Sequence, residues 1–227
     1  MKVRLVSYSQ PAQEIQDAGI QDAQELVAFC ARVSNPANQF NTETSERLIR
    51  YLIQHQHWSP LEMVSACLEI TTTRDIARQM LRHRSFSFQE FSQRYADPVQ
   101  DLNFEIREAR LQDPSNRQNS TDLDFTNLEH RELAREWTDR QHQVRRMVTE
   151  VYRWAVQNGI AKEQARAVLP EGMMQSRLYM NGTLRSWIHF IELRSANGTQ
   201  REHQDVALAC AEVIAEIFPM AHDLRSA

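Results

Sequence analysis

The chain has 227 residues, a formal net charge of −4, and 41% hydrophobic against 25% charged residues, the proportions of a soluble globular protein with one sizeable core. No stretch reaches the roughly 18 apolar residues a membrane span needs, and Met1–Gln10 lacks the apolar centre of a secretion signal, so a cytoplasmic protein is expected. The negative charge weighs against a nucleic-acid binder, and three scattered cysteines (Cys30, Cys67, Cys210) without CxxC spacing weigh against a disulfide framework or a zinc site.

Lys2–Ser9 reads as a first or edge strand, and Ala23–Val33 carries Leu26, Val27, Cys30 and Val33 at helical spacing. Asn41 or Thr42 is expected to cap a helix with the stripe Leu48, Ile49, Leu52, Ile53. Val64, Ala66, Leu68 and Ile70 then alternate with their neighbours as in a strand ending at Thr71–Thr73. Thr73 is placed as the cap of a helix from Arg74 to about His83, with Ile76, Ala77, Met80 and Leu81 inward. A second alternating strand is expected at Leu102, Phe104 and Ile106. Gln112–Asn127, polar and interrupted by Pro114, reads as a mobile surface loop.

Beyond it a long helix is expected from Leu128 to Asn158, closed by Gly159, with Leu133, Trp137, Val144, Val148, Val151 and Ala155 inward. A short helix precedes Pro170, another spans about Leu184–Ser195, and a last one about Glu202–Phe218. The irregular succession of helices and strands predicts an α+β fold, a mostly antiparallel sheet packed with long amphipathic helices in a single domain over 1–227.

Standard phosphate cradles are missing. Only five glycines occur, with no GxGxxG turn and no Walker-type loop, so a nucleotide would have to be gripped by side chains. His55 and His57 form the only close histidine pair, and without a third ligand at a matching offset no metal is expected. Of 26 basic residues only Lys2 and Lys162 are lysine, and the 24 arginines offer planar forks suited to phosphate and to flat rings.

The densest cluster is Arg82-His83-Arg84-Ser85-Phe86-Ser87-Phe88-Gln89-Glu90-Phe91-Ser92-Gln93-Arg94. Two arginines and a histidine at a helix end, followed by two serines and another arginine, make a grip for anions and rings. By composition alone a solvated basic helix end is an equal reading. The order is more telling: Arg-His-Arg, two residues, Ser, four residues, Ser, one residue, Arg matches the signature of flavin-dependent thymidylate synthases at six fixed positions. Average residue frequencies give that match a chance probability on the order of 10⁻⁶ to 10⁻⁵.

The resemblance to this family runs from about Ala31 to Asp205. It includes Ala31-Arg32-Val33-Ser34, His57-Trp58-Ser59-Pro60-Leu61-Glu62, Ala165–Pro170, and Leu184–Phe190 followed by Arg194. It implies reductive methylation of dUMP to dTMP, with methylenetetrahydrofolate as carbon donor, FAD as redox carrier and NADPH as hydride source. Carried over by motif, Ser59, Arg82, His83, Arg84, Glu90, Thr183, Arg185 and His189 would bind FAD. Gln79, Arg82, Glu90, Ser92, Gln93, Arg94 and Arg166 would bind dUMP. Arg194 would meet the uracil ring. Many relatives carry asparagine where this chain has Thr183, and Asn181 is the only asparagine nearby. The family forms homotetramers with shared active sites, and the same state is expected here.

Each residue also has a plainer reading. Arg166 could cap a helix C-terminus, Arg185 and Arg194 could be solvated helix-face charges, and Glu62 could simply pair with a nearby arginine. Activation of uracil C5 has two chemical routes. One is a nucleophile at C6, and the cysteines lie outside every motif, while Ser87 or Ser92 would need a base such as His83. The other is a guanidinium at O4/N3, which points to Arg194. Two rivals are a related enzyme acting on another pyrimidine nucleotide and an arginine-rich helical RNA-binding or scaffold protein.

Overall fold

A computed structural model describes residues 1–224 of the chain. In chain order it runs through β1 (Lys2–Tyr8), α1 (Gln13–Asp17), α2 (Ala23–Ala31), α3 (Ser45–Gln54), β2 (Ser65–Thr73), α4 (Arg74–Met80), β3 (Ser87–Glu90) and α5 (Pro98–Asp101). There follow β4 (Arg110–Gln112), β5 (Ser120–Asp122), α6 (Leu128–Gln157), α7 (Lys162–Ala165), β6 (Gln175–Thr183), α8 (Leu184–Ser195) and α9 (Arg201–Ala215). The main sheet is antiparallel with the order β1-β2-β6-β3, so the α+β expectation holds.

Alternation decides which face of that sheet is covered. Ala66, Leu68 and Ile70 of β2 and Leu178 and Met180 of β6 point inward and are buried. Against them lie Leu184, Trp187, Ile188 and Ile191 of α8, with Val206, Cys210 and Ile214 of α9. Full burial of each large apolar side chain contributes on the order of 1.5–3 kcal/mol. Trp187 also needs a partner for its indole N–H, and it donates to the Ala66 carbonyl at 3.0 Å.

Several expectations give way. The strand at Leu102, Phe104 and Ile106 does not form; Phe104 makes one isolated bridge to Met174. Its apolar residues instead serve a second core, where Leu102 and Phe104 meet Tyr152, Ala155, Leu169 and Met174 under α6. The strands that do form, β3 and β6, lay hidden. β6 alternates properly, but its inner face includes Ser176 and Gly182, which no hydrophobic pattern flags. Helix α4 stops at Met80, and the Thr73 hydroxyl donates to Asp75 Oδ1 (2.6 Å) rather than capping the backbone. The polar 112–127 segment holds β5, paired with β4 in a short exposed hairpin.

The largest departure concerns α6. Its N-cap Asn127, whose side chain accepts from Glu129 N, and the positive φ of Gly159 bound it as expected. The expected inward stripe, however, is largely outward. Leu133, Trp137, Val144 and Val151 are exposed, as are Met147 and Trp154, while Gln141, Tyr152 and Ala155 are the buried residues. Of the cysteines only Cys210 is fully buried, and Cys30 and Cys67 are half-buried.

Candidate functional site

The signature segment leaves α4 through a turn in which Arg82 N–H donates to the Gln79 carbonyl (3.4 Å) and His83 N–H to that of Met80 (3.0 Å). Ser186 Oγ donates to the Ser85 carbonyl at 3.2 Å, tying the turn to the start of α8. Phe86 lies flat over β6 at Gly182, where any Cβ would stand 2.6 Å from Phe86 Cε1. The chain then follows β6, from Ser87 opposite Asn181 to Glu90 opposite Leu178. At about 3.3 Å per residue, the three steps of β3 set its two ends roughly 10 Å apart.

At the first end, Arg194 from the last turn of α8 donates through Nε to His83 Nε2 at 2.9 Å. The His83 ring stands edge-on to Phe190, 5.0 Å between centroids, and 6.4 Å from His203. Burial, and then the Arg194 charge, lower the His83 pKa to about 4, so the ring is neutral and can accept. Burial also depresses the Arg194 pKa, with the Arg82 charge adding to it. Among the described residues Arg194 has no carboxylate within ion-pair distance. It is a half-buried cation.

Behind this pair runs a directed hydrogen-bond chain. His203 Nδ1 lies 3.2 Å from Gln79 Oε1, an oxygen that only accepts, so Nδ1 carries the proton. Gln79 Nε2 donates to Gln200 Oε1 (2.9 Å), and Gln200 Nε2 to Glu202 Oε2 (2.9 Å). Glu202 is anchored by Arg107 at 3.1 Å and by Arg110, and Arg107 reaches Asp75 at 2.8 Å. The carboxylate thereby sets both amide orientations and the histidine tautomer. His203 Nε2 is left buried without a partner. His203, Gln200, Glu202 and Arg107 escaped the sequence reading; the one available signal was Gln200-x-Glu202-His203 opening an apolar helix.

These histidines make stability pH-dependent. Burial, followed by the Arg194 and His83 charges, lowers the His203 pKa to about 3. Both folded-state values lie below the ordinary 6.5, so the unfolded chain takes up protons first as pH falls. Their contribution is fully present above about pH 6.5 and is lost progressively below it. Thermal unfolding between pH 7.5 and 5 is therefore expected to show a falling Tm. His203→Asn, which keeps a donor near Nδ1, should flatten that slope; an unchanged slope would contradict the assignment.

Beside this cluster, the outer side of α8 meets the 3-10 turn Ser59–Glu62. Arg185 bonds Glu62, the plainer reading of that carboxylate, and His189 packs edge-on to Trp58 at 4.4 Å. Ser59 is exposed at the start of the turn, and Arg82 and Arg84 are exposed at the helix end. Thr183 accepts from Ser186 N–H at 3.3 Å and so caps α8.

The second end of the signature stands apart. Arg94 is exposed and pairs with Glu163 at 3.2 Å, beside a cavity of about 350 Å³ lined also by Ser92, Tyr95 and Lys162. Arg166, half-exposed, opens a 3-10 turn directly after α7. Gln93 is buried. Glu90 accepts from Ser176 Oγ (2.7 Å) and lies 3.5 Å from the buried Arg74, which also faces Glu171. Glu90 thus belongs to a half-buried ion cluster and also lines a cavity of about 490 Å³ with Ser92, Arg177 and Tyr179. Among the described residues no three His, Cys, Asp or Glu side chains gather as a metal site would require.

Comparison with known proteins puts this geometry in context. Residues 15–220 match the family model of the thymidylate synthase complementing proteins. A probable flavin-dependent thymidylate synthase of Paramecium bursaria Chlorella virus 1 is 47% identical over 219 residues, covering 96% of each chain. A flavin-dependent thymidylate synthase of Synechocystis sp. strain PCC 6803 is 45% identical over 220 residues, again covering 96% of each. In solved structures, the UMP/dUMP methylase PolB of Streptomyces cacaoi bound with 5-Br dUMP superposes with a TM-score of 0.76 at 25% identity, covering 98% of this chain and 93% of that one.

Proposed function

This chain belongs to the flavin-dependent thymidylate synthase family, and on that premise we propose that it methylates dUMP reductively to dTMP, taking its carbon from methylenetetrahydrofolate and its hydride from NADPH through FAD. The observation that carries the reading is the Arg194–His83 pair: a half-buried guanidinium, without a carboxylate partner among the described residues, held by a neutral imidazole.

The residues present fit a flavin dinucleotide. Arg82, Arg84 and Arg185 offer guanidinium donors for a pyrophosphate, and Ser59 and His189 add polar contacts, in a chain with no glycine-rich cradle. When bound, FAD supplies the two-electron redox chemistry. The chain's own part is binding and polarisation. Arg194 Nε is engaged by His83, which leaves the two terminal NH₂ groups for the O4/N3 edge of uracil. There they stabilise the charge that develops as C5 becomes nucleophilic. Cysteine attack fits poorly, because burial raises the pKa of Cys30 and Cys67 and pushes that of Cys210 far up. Ser92, Gln93, Arg94 and Arg166, with Gln79 and Glu90, are assigned to dUMP, Arg94 chiefly to its phosphate.

The two ends of β3 stand roughly 10 Å apart within one copy. That separation supports sites shared between copies of a homotetramer. So does the exposed row Leu133, Trp137, Val144, Met147, Val151 and Trp154, whose spacing of three, four and seven residues aligns it along α6. Val144→Glu combined with Val151→Glu is expected to reduce the mass seen by light scattering from four times 26.5 kDa to a smaller species, with loss of turnover. An intact tetramer would contradict this use of α6.

PolB, bound with 5-Br UMP in a second structure (TM-score 0.73, 26% identity), favours one alternative, a substrate range that includes UMP. The test is the purified protein with FAD, NADPH and methylenetetrahydrofolate. Flavin absorption and dTMP formed faster from dUMP than 5-methyl-UMP is from UMP support the proposal; a colourless protein that takes up no FAD sinks it.

A further inference from the structure

Ala31–Ser34 ends at a cavity of about 580 Å³ that the steps above leave unused. Arg32 caps α2 at its C-terminus and is 7% exposed; its guanidinium donates to the Asn41 carbonyl and to Thr44 Oγ1 (2.9 Å). Burial lowers its pKa, and among the described residues its recorded partners are these neutral oxygens. Across the cavity α3 contributes Arg47, exposed, and Arg50, which also bonds Glu46 at 2.8 Å. Asn35 and Asn38 close the wall.

Tyr51 connects this cavity to the α8 cluster. Its ring lies 4.1 Å from that of His55 and 6.1 Å from that of His57, all three exposed. Trp58 follows in sequence and packs on His189. A run of flat edges therefore leads from the flavin-side residues to an arginine-lined hollow.

We propose that this hollow binds the glutamate tail of the folate co-substrate, an inference that rests on the reaction assigned above. Folate carries a flat p-aminobenzoyl group followed by glutamates joined through amides. The ring fits along Tyr51, His55 and His57. The carboxylates meet Arg47 and Arg32, and Asn35 and Asn38 answer the amide links as donors and acceptors. The arginines are spread over two helices, which suits spaced carboxylates better than the single compact 2′-phosphate of NADPH.

The experiment compares methylenetetrahydrofolate bearing one and five glutamates, with wild type, Arg47→Glu and Arg47→Gln. Arg47 is exposed, so neither change touches the core. Wild type is expected to show a KM roughly tenfold lower for the pentaglutamate at equal kcat, and both variants should lose most of that preference. Equilibrium dialysis with p-aminobenzoyl-pentaglutamate should weaken in parallel, independent of turnover. Equal KM values in wild type, a preference that survives in both variants, or a rise confined to the NADPH KM would overturn the inference. A wild type that makes dTMP from the monoglutamate yet ignores the tail would leave the reaction standing and remove the tail site. One that makes no dTMP from any folate would remove both.

Discussion

Arg194→Ala is expected to lower kcat for dTMP formation by about 10²–10³-fold, the usual loss when one donor to a developing anion is removed. Affinity for dUMP should change far less, because the proposed phosphate site, at Arg94, lies at the other end of the signature. The geometry explains the asymmetry. Arg194 is positioned by His83 at 2.9 Å, and that imidazole in turn packs edge-on to Phe190, so the Nε edge of the guanidinium is held before substrate arrives. Burial disfavours its charge, and Arg82 adds repulsion, so an anionic uracil relieves an existing cost. Arg194→Lys should recover only part of the rate, since a point charge cannot span O4 and N3. Full kcat for the alanine variant at saturating dUMP would refute activation by this residue.

The second large effect is expected on binding. Arg94→Ala should raise the Kd for dUMP by roughly 10- to 100-fold, as loss of a charge-assisted contact to phosphate implies. Its present partner, Glu163 at 3.2 Å, is an exposed one, with both side chains about half in solvent or more. Such pairs are worth at most about 1 kcal/mol, so phosphate displaces the carboxylate readily. Glu163→Gln should accordingly tighten dUMP binding slightly. Isothermal titration on the two variants separates these outcomes, and unchanged affinity in Arg94→Ala would move the phosphate site elsewhere.

How much of this was legible in the sequence differs by element. β2 and α8 were readable because a single period of apolar residues held throughout, and in both the inward set is buried. β6 was not, because Ser176 and Gly182 occupy inward positions. Their roles are relational: Ser176 serves Glu90, and Gly182 makes room for Phe86. The stripe on α6 was read correctly as apolar and wrongly as internal. Periodicity identifies a face and not what covers it. The signature revealed the family but not its own shape. Only the pairing of β3 with β6 separates its two ends. Glu90 and Thr183 are assigned to ligands by motif alone, and spacing gave no sign of their contacts within the chain, an ion pair with Arg74 for Glu90 and the cap of α8 for Thr183. The chain from His203 through Gln79 to Glu202 joins residues more than a hundred positions apart, beyond the reach of spacing rules.

The most direct measurement is release of tritium from [5-³H]dUMP. The proposed chemistry predicts label appearing in water in step with dTMP only when FAD, NADPH and methylenetetrahydrofolate are all present, and its near-absence in Arg194→Ala. Release without flavin or folate, or release undiminished in Arg194→Ala, would contradict it.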